Sequence, residues 1–266
     1  MGERNNEIVK TTLRSLEIIE IVKQLNGASA SEIREELGMA ESTVYKHLNV
    51  LLEKGYLMEW GGQYELGFEL FHLGEYVKKS VQYYHPIKEK SDWLRQNIPE
   101  QVEFGIECNG LVMGYIVSTD YNPSLFYELT EKNESEIIDY AGSKALMHTN
   151  AVGKALLGEK SNDEIRNIAS KYGLLQQAKN TITSVDELLE EIDIIREQGF
   201  ATTDEEWENG LREVGMTVKP NDHVIGGFNV FGPTYQISDD RLHEDLPELL
   251  RDVVSDLEEE ILGRIE

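Results

Sequence analysis

The chain has 266 residues, 40% of them hydrophobic, with 50 acidic residues against 25 basic ones and a formal net charge of −25. That apolar content is enough for packed cores and excludes a disordered chain, and no run approaches the ~18 apolar residues a membrane helix needs. A single cysteine, Cys108, excludes an intramolecular disulfide, and no Cys/His spacing suggests zinc. The polar start, MGERNNEIVK, lacks the apolar core of a signal peptide, so a cytoplasmic protein is expected.

The acidity is uneven. Residues 1–80 hold nine Lys/Arg and 13 Asp/Glu, leaving 16 and 37 for the rest. Two explanations fit: a cytoplasm at molar salt, where the Debye length is ~3 Å, or a basic protein partner. The acids are scattered rather than blocked, which favours the salt reading.

In chain order, LRSLEIIEIVKQL (13–25) predicts a helix with Leu16, Ile18, Ile19, Val22 and Leu25 on one broad stripe, closed by Asn26-Gly27. Ser29-Ala30-Ser31-Glu32 reads as a capping box opening a second helix, with Ile33 and Leu37 inward and Gly38 as its end. AESTVYKHLNVLLEKG then places Val44, Leu48, Leu51 and Leu52 on one face, with Ser42, Thr43, Tyr45, Lys46 and Asn49 on the other. Two helices joined by a glycine turn, the second with small polar residues at its start, form a helix-turn-helix layout. Next, Tyr56–Trp60 and Gln63–Leu66 alternate around Gly61-Gly62, a hairpin that supplies a wing. Winged helices also dock proteins, and the module's slight negative charge keeps that alternative open.

Further along, VEFGIE (102–107), LVMGYIV (111–117) and VIGGFNVFG (224–232) have strand composition, with Asn109-Gly110 as a turn. Cys108 is expected to be buried in its strand. ELLEEIDIIREQG (187–199) predicts an amphipathic helix with Leu188, Ile192 and Ile195 inward and Gly199 as its stop. Gly153-Lys154 is not a phosphate loop, because His148 stands where that motif needs glycine. The six histidines show no metal-ligand spacing, and Asp204-Glu205-Glu206, with no accompanying nucleophile, reads as a charged loop capping a strand. No enzyme, metal or cofactor is expected.

With these residues in view, three separated stretches carry a resemblance: residues 15–67, HTNAVGKALLGE (148–159), and residues 181–218 followed by GGFNVFGP (226–233). The chain resembles the IclR family of transcriptional regulators over nearly its whole length. The resemblance implies an α+β protein: a winged helix-turn-helix over 1–67, a connecting helix over 68–84, and an effector-binding and oligomerisation domain over 85–266 with a curved antiparallel sheet. It also implies a homodimer or dimer of dimers on a palindromic double-stranded DNA operator, modulated by an unidentified small-molecule effector. Arg14, Ser42, Thr43, Tyr45, Lys46, His47 and Gly62 are the expected DNA contacts. The expected effector contacts are Ala151, Val152, Gly153, Thr203, Leu211, Glu213, Asn229 and Phe231.

The sequence departs from the family pattern in two places. Ala40-Glu41-Ser42-Thr43 replaces the usual Pro-Lys-Ser-Thr turn, putting an acid where a cation would meet phosphate. Positions that elsewhere hold an acid, a cysteine and two serines are here Thr203, Glu213, Asn229 and Phe231. Glu213 would repel a carboxylate, so the domain either takes a neutral, aromatic or cationic ligand or only dimerises. Ala151, Val152 and Gly153 match a pocket-edge loop whose small residues would let backbone N–H groups approach a ligand.

Overall fold

The computed structural model describes residues 9–80, 83–117 and 144–264, and the chain divides into two compact units, Met1–Gln82 and Tyr83–Glu266. Positions 81–82 of the expected connecting helix lie outside the described residues.

The first unit is ordered by turn chemistry. Helix α1 (Lys10–Gln24) runs out at Asn26 and Gly27, both at positive φ, and α2 (Ala30–Leu37) opens on a complete Ser29–Glu32 capping box. Gly38 closes α2 in the left-handed conformation. Helix α3 (Glu41–Glu53) buries Val44, Leu48 and Leu51 against Ile18, Val22 and Ile33, each such side chain being worth about 1.5–3 kcal/mol. Strands β1 (Leu57–Trp60) and β2 (Gln63–Leu66) pair through Gly61 and Gly62, both at positive φ. Helix α4 spans Phe68–Ser80.

The stripe on α1 is narrower than the sequence suggests. Leu16 is 57% exposed and Leu25 44%, while Ile18 and Val22 are buried. Two residues are about 200° around a helix, so Leu16 and Ile18 cannot share a face, and Leu25 falls where the chain turns away.

The second unit is built on a six-stranded antiparallel sheet, ordered β5-β4-β3-β8-β7-β6, comprising β3 (Gln101–Cys108), β4 (Leu111–Val117), β5 (Lys144–Leu146), β6 (Ala201–Asp204), β7 (Leu211–Val218) and β8 (Gly226–Pro233). Helices α5 (Tyr84–Asn97) and α9 (Leu246–Gly263) close one core around Val102, Phe104, Phe228 and Val230. Helices α6 (Ala151–Gly158), α7 (Asn162–Tyr172) and α8 (Val185–Gln198) close a second around Val152, Leu156, Leu188 and Ile192. With helices on both sides, every residue of β8 is buried. Asn109 and Gly110 make the β3–β4 turn, both at positive φ, and Gly199 stops α8. Cys108 is half-buried rather than buried, because it closes β3 at this turn.

Helix α6 lies so close to the sheet that glycine is required beneath it. A Cβ at Gly215 on β7 would stand 2.3 Å from the Ala151 carbonyl carbon and 2.4 Å from the Val152 nitrogen. Gly215→Ala is therefore expected to destabilise the second unit by about 3 kcal/mol or more, read by chemical denaturation. Gly74→Ala on α4, where a Cβ meets nothing within 4 Å, should instead stabilise by about 0.5–1 kcal/mol.

Candidate functional sites

In the first unit, the seven expected DNA contacts do not stand equally. Ser42, Tyr45 and Lys46 are exposed along one side of α3, with Thr43 half-buried among them, and Gly62 lies exposed at the hairpin tip. Lys46 has no ion-pair partner among the described residues. The N-cap Ala40 offers no side-chain cap, and the N–H groups of Thr43 and Val44 fold back onto its carbonyl. That leaves the Glu41 and Ser42 N–H groups open at the positive end of the helix dipole. His47 is half-buried, sharing a 2.8 Å hydrogen bond with Ser15 on α1, and Arg14 is held at 2.6 Å by Glu17. Trp60, 76% exposed beside the hairpin tip, is a further candidate that its alternating strand pattern alone did not single out.

In the second unit the eight expected effector contacts split into two groups. Val152, Glu213, Asn229 and Phe231 line a cavity of about 50 Å³, together with Glu103, Val112, Gly114, Ala145, Asn150 and Trp207. Ala151, Gly153, Thr203 and Leu211 are outside its lining. The expected approach of α6 N–H groups to a ligand is corrected: the Ala151 N–H donates to Glu213 Oε2 at 3.0 Å and the Gly153 N–H to Asn150 Oδ1 at 2.7 Å. Gly153 is small for another reason, since a Cβ there would lie 2.3 Å from the Met147 carbonyl oxygen.

Glu213 is the hub of this wall. Besides Ala151, it accepts from Thr203 Oγ1 at 2.8 Å and from Asn229 Nδ2 at 3.2 Å. Burial pushes its carboxyl above the ordinary range while these donors pull it back. Behind the wall, Lys154 is fully buried, with Nζ 2.5 Å from Glu206 and 2.6 Å from Glu191. Burial carries Glu206 to about 7 despite Lys154. The loop expected merely to cap a strand therefore supplies a buried carboxylate.

Glu103, on β3, is the member that sequence reasoning missed. Enclosure in low dielectric, reinforced by the Glu213 charge, pushes it to about 8. The only hint was an acid between Val102 and Phe104, on the opposite pleat from the buried pair.

The geometry defines a class: a winged-helix reader followed by an α/β domain with a small, partly open cavity in its sheet, the build of a sensor-regulator. The matches to known proteins agree. Residues 11–59 match the IclR helix-turn-helix domain and residues 117–259 the bacterial transcriptional regulator IclR C-terminal domain. The chain belongs to the IclR family of DNA-binding transcriptional regulators. Curated relatives include the HTH-type transcriptional regulator KdgR of Dickeya chrysanthemi, 25% identical over 91% of this chain and 77% of that protein. Another, named "Probable HTH-type transcriptional regulator ArcR", from Halobacterium salinarum, is 22% identical over 94% of this chain and 93% of its own. Among solved structures, Thermotoga maritima IclR superposes with a TM-score of 0.66 at 22% identity, covering 96% of this chain and 99% of that one. An IclR homologue of Microbacterium hydrocarbonoxydans complexed with 4-hydroxybenzoate reaches 0.74 at 14%, covering 95% and 98%. These likenesses show the shared fold. The family's members are regulators, not enzymes, and among the described residues no helix is long and apolar enough to cross a membrane.

Two stability predictions follow from the buried charges. Lys154→Met leaves Glu191 and Glu206 without their cation and should cost about 3–5 kcal/mol, with Glu206→Gln in the same chain recovering part of it. For Glu103, whose folded value lies above its unfolded one, the folded chain keeps a proton that the unfolded chain releases. Stability is therefore lost as pH rises from about 4.5 to about 8. The Tm advantage of Glu103→Gln over the parent should be larger at pH 8 than at pH 5; an advantage equal at both pH values would contradict the assignment.

Proposed function

We propose that this chain is a cytoplasmic, homodimeric regulator that reads a palindromic operator with α3 and the β1–β2 wing, with operator affinity modulated by a small molecule in the second unit. The observation that carries the reading is the exposed Ser42–Tyr45–Lys46 side of α3, opposite its buried Val44–Leu48–Leu51 face and led by an uncapped first turn. On this reading residues 1–67 bind DNA, with Arg14, Thr43, His47 and Gly62 supporting the contact, 68–84 connect, and 85–266 sense and oligomerise. Phe68, Phe71 and Tyr76, all more than two-thirds exposed on α4, support pairing with a second copy. A dimer of dimers is the larger assembly consistent with the family. Of the expected effector contacts, the cavity-lining Val152, Glu213, Asn229 and Phe231 support the sensing role directly; Ala151, Gly153 and Thr203 support it by bonding to that wall, while Leu211 lies outside it, two residues before Glu213 on β7.

The charge of −25 supports a protein adapted to high salt, in which groove fit carries more of the binding than counterion release. With few free cations on the reader, the slope of log Kobs against log[KCl] should be shallow, on the order of −2 to −4. Genomic footprinting at molar KCl should give discrete palindromic sites that disappear in the Thr43→Ala, Lys46→Ala double variant. No sequence-specific enrichment, with capture of a basic protein instead, would favour a protein-docking winged helix.

A further inference from the structure

The cavity in the second unit presents two side chains whose oxygens have no donor, Glu103 and Asn229. Glu103 on β3 stands directly opposite Asn229 on β8. Asn229 is 3% exposed; its Nδ2 is spent on Glu213, and its buried Oδ1 has no hydrogen-bond partner. Glu103, half-buried beside the Glu213 carboxylate, has neither a hydrogen bond nor an ion pair among the described residues. Leaving a buried acceptor such as the Asn229 oxygen unmet costs about 1–3 kcal/mol. Two neighbouring polar side chains cannot relieve it. Asn150 is committed at both ends, to the Gly153 N–H and the Leu146 carbonyl, and Lys154 is held by Glu191 and Glu206.

We propose that this cavity binds a small organic cation bearing N–H donors, a primary ammonium or guanidinium head set between Glu103 and the Asn229 carbonyl with its carbon end against Val112, Val152 and Phe231. The proposal rests on the sensor reading of this unit and names its ligand class. An anion would face Glu213 and a carbonyl oxygen, with no uncommitted buried cation among the described residues to meet it. A bare divalent ion needs six or more oxygens, whereas the wall offers two open acceptors among apolar side chains, and no metal-holding group of His, Cys, Asp and Glu occurs among the described residues. Phe231 and Trp207, edge-to-face at 6.4 Å, add aromatic rings that favour a cation. A cavity of about 50 Å³ has space for only a few water-sized groups, so the head and a short carbon chain fill it.

Binding would also move a proton. The charged group acting on Glu103 is Glu213 on β7, which Lys154 on α6 in turn offsets; a cationic head beside Glu103 favours its carboxylate, so the proton it holds at neutral pH is released on binding.

The test is calorimetry on the full chain with ethylammonium chloride, against sodium propionate, choline chloride and magnesium chloride at matched ionic strength. Saturable 1:1 binding of ethylammonium is expected near the millimolar range that three heavy atoms allow. Release of close to one proton at pH 7 should appear as a buffer-dependent enthalpy, and Glu103→Gln, which keeps the shape and should fold at least as well, should lower affinity tenfold or more. Choline, cationic but without N–H, should bind more weakly. Equal binding by choline, magnesium or propionate, an unchanged affinity in Glu103→Gln, or no saturable binding of ethylammonium overturns the proposal. Binding of propionate in place of ethylammonium would do so while leaving the sensor reading intact, since that reading fails only if no ligand shifts operator affinity.

Discussion

Glu213 gathers hydrogen bonds from three elements at once: Thr203 on β6, Asn229 on β8, and the first N–H of α6. A buried carboxylate is tolerated only when donors replace the water it has lost, and here the donors are the parts of the fold that must be held in register. The helix end contributes its dipole as well as its N–H. Because that end is drawn onto β7, Gly215 has no room for a Cβ, and Val152 becomes a fixed part of the cavity wall. The sheet, the start of α6 and the shape of the cavity thus share one electrostatic anchor.

Buried acids in this unit differ in what meets them. Glu206 has a lysine, and Glu213 has three neutral donors. Glu100, with its side chain fully enclosed, is gripped by the fork of Arg241 at 2.7 and 2.9 Å. Glu103, half-buried, has no partner among the described residues, and the side-chain oxygen of Asn229, the residue opposite it on β8, is equally bare. Departures from polar satisfaction concentrate where function requires them. The composition, rich in carboxylates throughout, makes this local contrast more informative than the net charge, which bears on solubility and salt tolerance.

What could be read in the sequence was local chemistry. The Ser29–Glu32 capping box, the Gly61-Gly62 and Asn109-Gly110 turns and the Gly199 stop depend on a few neighbouring residues, and each stands where the sequence puts it. The core face of α8 follows from helical period in the same way. Other features depend on partners far along the chain. Lys154 looks like an ordinary lysine until Glu191 and Glu206 close over it, and Glu103 looks like a solvent-facing strand residue until α6 covers its side of the sheet. Resemblance singled out Glu213, Asn229 and Phe231, which line one cavity. It could not distinguish the carboxylate that is tied from the one left open, because that difference lies in donors supplied by other elements.

A regulator needs its ligand to bind one conformation better than another, and the coupling works equally in both directions. Here the open pair, Glu103 and Asn229, sits beside the anchor that fixes α6, so an occupant of the cavity acts on the element that defines its wall. The most direct measurement is operator affinity by fluorescence anisotropy, on the DNA recovered by footprinting, with and without saturating ethylammonium. The account predicts a change of about fivefold or more, in either direction, matched by an equal change in ethylammonium affinity when operator is present. An operator affinity unaltered by a ligand that demonstrably fills the cavity would contradict it.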